Sequence, residues 1–138
     1  MREILFRAKD CYTNKWVYGM LHGVKDYYAM QTSDFKIHDI IPETVGQYTG
    51  LTDKNGKKIF EGDILKAITV DTNREQIAVV GFGNFVDENN YDEYLGFYIE
   101  FDGAKTTITQ LLLEEVKERF EVIGNIHDNP ELLEVNNG

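Results

Sequence analysis

The chain has 138 residues and a mass of 15.9 kDa, which suits one ordinary domain or two very small ones sharing a core and rules out a multidomain machine. Its 14 Lys and Arg stand against 24 Asp and Glu, a net charge of -10, and the imbalance is C-terminal: residues 1–69 carry 10 basic and 9 acidic side chains, residues 70–138 carry 4 and 15. That balance argues against an electrostatic nucleic-acid binder, which needs a basic face to displace counterions, and no apolar run approaches the roughly 18 residues of a spanning helix.

The single cysteine, Cys11, has no partner for an internal disulfide, and the charged opening Met1-Arg2-Glu3 does not read as a secretory signal. A reducing compartment, the cytoplasm, is therefore expected. Residues 3–8 alternate, with Ile4 and Phe6 on one face and Leu5 and Arg7 on the other, the period of a strand. Residues 10–15 supply Asp, Thr and Asn for a turn and residues 16–21 resume as a strand, so the chain opens on an expected hairpin. Residues 27–31 read as a third strand, and residues 32–41 show no clear period.

The middle of the chain is more legible. Residues 47–52 lead into Asp53-Lys54-Asn55-Gly56 and residues 57–60 lead out, with Asn-Gly supplying the positive φ angles of a tight hairpin. Glu61-Gly62-Asp63 makes a corner before an extended run through Ile64, Ala67, Ile68 and Val70; residues 71–74 turn the chain and residues 76–82 return it. Closely spaced turns between extended runs predict a small, strongly bent barrel. Residues 83–93 read as an acidic loop. Residues 94–101 read as a strand, with Leu95, Phe97, Ile99 and Phe101 on one face. Over residues 109–119 the period changes: Leu112, Val116 and Phe120 recur every four residues while Glu114, Glu115 and Glu118 face away, predicting one short amphipathic helix. Residues 120–126 return to period two, and Asp128-Asn129-Pro130-Glu131 reads as a cap with proline at the first helical position.

Candidate chemistry is sparse. His38-Asp39 and His127-Asp128 together could supply a two-histidine, two-carboxylate metal site, but neighbours on an extended segment point to opposite faces, so neither pair converges locally. Asp87, Glu88, Asp92 and Glu93 cluster in one loop without the ligand spacing or central glycine of a calcium loop; a solvated acidic loop is the simpler reading. Cys11 has no base beside it in sequence to activate it as a nucleophile. Gly81-Phe82-Gly83 follows a strand, yet Val86 and an acidic loop follow where a dinucleotide fingerprint needs glycine and a helix. Tyr12, Trp16, Tyr18, Tyr27 and Tyr28 are interleaved with Arg2, Arg7, Lys9, Lys15 and Lys25. Of these, Trp16, Tyr18, Tyr27 and Tyr28 form the candidate interaction surface, with a protein partner favoured over a nucleic acid by the overall charge; packing of a small β domain accounts for about half of such rings.

Three blocks resemble the YopX family of small phage and prophage proteins. They are Arg2-Glu3-Ile4-Leu5-Phe6-Arg7-Ala8 with Trp16-Val17-Tyr18-Gly19, the long central run from Gln47 to Ile64, and Phe120-Glu121-Val122-Ile123-Gly124-Asn125-Ile126 with Asn129-Pro130-Glu131-Leu132-Leu133. Residues 23–40 and 71–93 carry no part of the likeness. The resemblance implies one YopX-like domain over residues 1–138, mainly β, containing a small SH3-like barrel, with no established activity and no catalytic residue. The barrel core is placed around residues 45–135, with additional strands and one short helix near the C-terminus. Elementary physics explains the central block as a folding motif: Asn55 and Gly56 make the hairpin, Gly62 permits the corner, and Asp63 hydrogen-bonds the corner backbone.

The functional expectation is a non-enzymatic accessory protein that self-associates and contacts a host or phage protein, with no cofactor, no metal and no membrane. One alternative is an acidic mimic of nucleic acid that uses Glu114, Glu115 and Glu118 against a DNA-binding protein. Another is a metal-dependent hydrolase using His38, Asp39, His127 and Asp128.

Overall fold

A computed structural model describes residues 3–25, 27–68, 74–87, 91–108 and 118–135. The chain divides into two compact units, Met1–Gly50 and Leu51–Gly138. The strands form two antiparallel sheets.

In the first unit, β1 (Phe6–Lys9) and β2 (Trp16–Val24) form the opening hairpin, β3 (Tyr27–Gln31) follows, and β4 (Ile37–Asp39) lies in the stretch that had no legible period. A 3-10 turn at Pro42–Thr44 leads into β5 (Gly46–Thr52), which returns beside β1. The hydrogen-bonded order is β4-β3-β2-β1-β5. One isolated bridge, Asp10 to Ile40, brings the end of β4 back to the end of β1, so this sheet curls upon itself. Alternation then sorts the side chains: Ala8, Val17, Leu21 and Met30 point inward and pack with Phe6, Ile40 and Val45.

In the second unit, β6 (Lys58–Phe60) completes the central hairpin. The five-stranded sheet has the order β10 (Ala104–Thr107), β9 (Glu93–Phe101), β8 (Glu75–Val86), β7 (Asp63–Ile68), β11 (Phe120–Asn125). Its core is Ile59, Leu65, Ala67, Ala78, Val80, Ile99, Ile108, Phe120 and Val122, in a largely aliphatic composition that suits a half-buried pleated surface. The expected barrel around residues 45–135 is here a sheet with two ends: among the described residues no pairing joins β10 to β11.

Two expectations change. Residues 83–93, read as a loop, are β at both ends: β8 runs to Val86 and pairs residue by residue with β9 from Val79–Glu100 to Val86–Glu93, which leaves only the connection between Val86 and Glu93 outside the strands. The acids at the hairpin end masked a strand whose ladder overrides local polarity. The amphipathic helix expected over residues 109–119 falls mainly on residues 109–117, outside those described. The helix that is described, α1 (Glu131–Val135), lies where the sequence places one but begins just after Pro130, which was expected at its first position. The cap differs, because Asn129 Oδ1 accepts from Asn125 N (3.2 Å), while Asn125 Oδ1 accepts from His127 N and Asp128 N (3.0 and 2.9 Å). The asparagines thus fasten the turn before the helix. No helix among the described residues is long and apolar enough to cross a membrane.

Candidate functional site

The central block is organised around a residue that the motif reading passed over. Asp53, only 2% exposed, accepts on Oδ1 from Asn55 N and Lys57 N (both 2.9 Å) and on Oδ2 from Val122 N of β11 (2.9 Å). Its own N–H and C=O close the loop, to Lys57 O and from Gly56 N (2.8 and 3.0 Å). Positive φ falls on Gly56 alone (81°), and Asn55 keeps an ordinary negative φ. The hairpin is therefore a turn closed by one left-handed glycine, with the aspartate carboxylate supplying the remaining order. At the next corner Gly62 (φ 93°) donates to Val80 O (2.8 Å) and accepts from Ile126 N (2.9 Å). Asp63 Oδ2 accepts from Phe60 N (2.7 Å), the corner bond its position predicts. Asn55, Gly56, Gly62 and Asp63 all lie in this scaffold, and buried carboxylates held by backbone N–H groups fix chain geometry.

The four candidate surface aromatics divide between two faces of the first unit's sheet. Alternation along β2 places Trp16, Tyr18, Met20 and His22 on the outer face, with Lys9 opposite Trp16 and Arg7 opposite Tyr18. Tyr27 joins this face, opposite Val24. Tyr28 lies on the other face, its ring against the position a Cβ on Gly23 would fill. Tyr18, Tyr27 and Tyr28 are exposed, whereas Trp16 is half-buried. The Arg7 guanidinium carbon sits 4.7 Å from the Trp16 ring centre and Lys9 Nζ 5.5 Å, so the tryptophan's π faces are engaged by cations of its own sheet. Beside Tyr18 and Met20 opens a groove of about 460 Å3, lined also by Ile4, Leu5 and Phe35. Phe35 is 83% exposed and has a positive φ of 66°, an uncommon conformation for a bulky residue.

The end of this sheet gathers titratable groups. His38 Nδ1 donates to Asp10 Oδ2 (2.8 Å), and Asp10 Oδ1 accepts from Tyr12 N and Thr13 N (2.8 and 3.1 Å). On the opposite face of β4, Asp39 accepts from the phenols of Tyr12 (3.3 Å) and Tyr27. His38 and Asp39 thus diverge, as strand alternation requires, and each ties β4 to the β1–β2 turn. The hydrogen bond from His38 is the leading cause that holds the Asp10 carboxyl below its usual value, followed by the backbone donors of Tyr12 and Thr13. The Asp39 carboxylate raises both phenols. A depressed carboxyl stabilises the fold above its unfolded pKa, and that stability is lost as pH falls through the lower folded value. We expect His38→Phe to move the Asp10 midpoint upward, read by carboxyl-carbon NMR titration, and to flatten the acid limb of stability, read by urea unfolding at a series of acid pH values. An unmoved Asp10 midpoint would show that His38 is not the cause.

The remaining candidates are scattered. Among the described residues no three His, Cys, Asp or Glu side chains come together as a metal group. Asp128 accepts from Asn125 Nδ2 (3.2 Å), and Cys11 is exposed in the β1–β2 turn. In the acidic cluster, buried Asp87 accepts on Oδ2 from Thr107 N (2.9 Å). Asp92 and Glu93 are exposed, and Glu88 lies outside the described residues, as do Glu114 and Glu115. Gly81, Phe82 and Gly83 sit inside β8 and open no helix.

The residues thus make a mainly β scaffold of two antiparallel sheets, with buried acids committed to backbone donors and some apolar side chains exposed on its strands. The family model described as YopX protein matches residues 5–134, and the chain belongs to that family. Among solved structures it is similar to protein EF1440 from Enterococcus faecalis, with a TM-score of 0.55 and 23% identity over 96% of this chain and 99% of that one; that likeness is one of fold. No curated protein matches the chain.

Proposed function

We propose that this YopX protein is a non-enzymatic accessory protein of a bacteriophage or prophage, working in the host cytoplasm through protein contacts, and that it self-associates through the outer face of its first unit. The observation that carries this reading is the exposed apolar groove beside Tyr18, Met20 and Phe35, since contiguous apolar surface on a soluble domain marks an interaction site. Charge favours a second copy as occupant. Residues 1–50 carry six basic and six acidic side chains, whereas residues 51–138 carry eight and eighteen. The neutral unit meets its own copy without the repulsion that a unit of net -10 would feel.

The SH3-like part of the fold, on this reading, is the second unit's bent sheet. Thr107 pairs with Tyr98, roughly 17 Å of extended strand from the hairpin end at about 3.4 Å per residue. Its N–H nevertheless reaches Asp87 at that end, so the ribbon must coil. Size-exclusion chromatography with light scattering tests the self-association. An oligomer is expected that Met20→Lys converts to monomer, and a strict monomer at high concentration would sink the reading.

A further inference from the structure

The β8–β9 ribbon carries a second apolar surface, in the unit that holds the charge. The face that takes Val80 and Ile99 into the core continues toward the hairpin end as Phe82 with Phe97, Asn84 with Leu95, and Val86 with Glu93. Phe97 is half-buried and meets Phe82 edge to face at 5.0 Å. Farther along, Leu95 is 70% exposed and Val86 48%. The pattern that builds the core thus runs on beyond the residues that cover it. Along its β7 side, β8 pairs with β7 as far as Val79, and the Gly62 N–H reaches Val80 O just beyond; among the described residues no strand flanks Gly81–Val86 there, which leaves an edge that a further strand can join. A cavity of about 480 Å3 opens at this end, lined by Asn84, Phe85, Val86, Glu93, Tyr94 and Leu95.

We propose that this ribbon face docks an extended segment of a partner protein in which apolar and basic side chains alternate. Two observations select that chemistry. The cavity joins aliphatic walls, Val86 and Leu95, to a carboxylate, Glu93, which matches a lysine or arginine with an apolar stem and a cationic head. The unit around it carries eighteen acids against eight bases, which attracts a basic segment and repels a second copy of the same ribbon. This rests on the reading of the protein as an interaction module, yet concerns a different unit from the self-association face, so the two fail separately.

Fluorescence anisotropy with a labelled alternating lysine–valine peptide, and with its glutamate–valine counterpart, tests the proposal on the full chain. The lysine peptide should bind, the glutamate peptide should not, and added salt should weaken the complex. Glu93→Gln should weaken it roughly tenfold and Leu95→Ser at least as much. Glu131→Gln, which removes the same charge from α1, should leave it unchanged. Equal losses from Glu93→Gln and Glu131→Gln would reduce the binding to general electrostatics and overturn the proposal. So would equal binding of both peptides, or no binding of either. An oligomer that Leu95→Ser dissolves and Met20→Lys does not would assign this face to a second copy and likewise overturn it.

Discussion

Asp53→Ala is expected to destabilise the second unit by about 3–5 kcal/mol, measured as a shift of the urea midpoint at unchanged slope. The carboxylate is buried and takes three backbone donors from two places in the chain: Asn55 and Lys57 in the hairpin, and Val122 across in β11. Hydrogen bonds to a charged acceptor contribute about 1.5–3 kcal/mol each, and truncation leaves donors buried without a partner. The three bonds share one acceptor, so the losses do not simply add, and water entering the vacated space returns part of them. Asp53→Asn separates geometry from acceptor count: its oxygen can serve Asn55 and Lys57, but its NH2 then faces the Val122 N–H, for an expected loss of about 2–3 kcal/mol. Lys54→Ala, next along the chain, removes only the half-exposed ion pair with Glu121 (3.6 Å) and should cost under about 0.5 kcal/mol. An Asp53→Ala change below that of Lys54→Ala would show that the motif stands without its carboxylate.

Asp53 also marks the limit of what local sequence reveals. The hairpin was legible because Asn55-Gly56 is a short-range signal, and β9 and α1 were legible from alternation and from Pro130. The bond from Val122 N spans 69 residues, and no local pattern distinguishes an aspartate that reaches across a sheet from one that faces water. The same holds for Asp10, whose partner His38 lies 28 residues away; His38 was legible as a candidate beside Asp39, yet alternation sends the two to opposite faces. Likewise the alternation of Leu95, Phe97, Ile99 and Phe101 assigns them to one face, and they do share it. Where the cover over that face stops is a tertiary fact, and it leaves Leu95 exposed while Ile99 on the same face is buried. The ribbon and Asp53 were therefore missed for the same physical reason: both depend on what lies opposite, and periodicity reports only which way a side chain points.

Gly19→Ala is the change expected to damage the first unit most. A Cβ at this position would lie 2.0 Å from Gln31 O, 2.9 Å from Gln31 C and 3.2 Å from Thr32 Cα. All three are backbone atoms of the neighbouring chain segment, so no side-chain rotation relieves the contact. Because C···O contacts even in close sheets stay near 3.3 Å, β2 and the end of β3 would have to part by about 1 Å or more. Overpacking typically costs about 1–3 kcal/mol, and a rigid clash in a unit whose fully enclosed apolar side chains are few, Ala8 and Met30 foremost, should reach or exceed the top of that range. Gly23→Ala provides the contrast within the same strand. There the nearest atoms belong to the Tyr28 ring, at 2.9 Å, and an exposed ring can swing away, so the expected cost is below about 1.5 kcal/mol. Trp16 is the single tryptophan and lies in β2, so its fluorescence follows the first unit as urea is added. If Gly19→Ala and Gly23→Ala shift that transition equally, the close approach of Gln31 is not what requires glycine; if Gly19→Ala alone abolishes it, the β2–β3 spacing is the feature on which the outer face, with Tyr18 and Met20, depends.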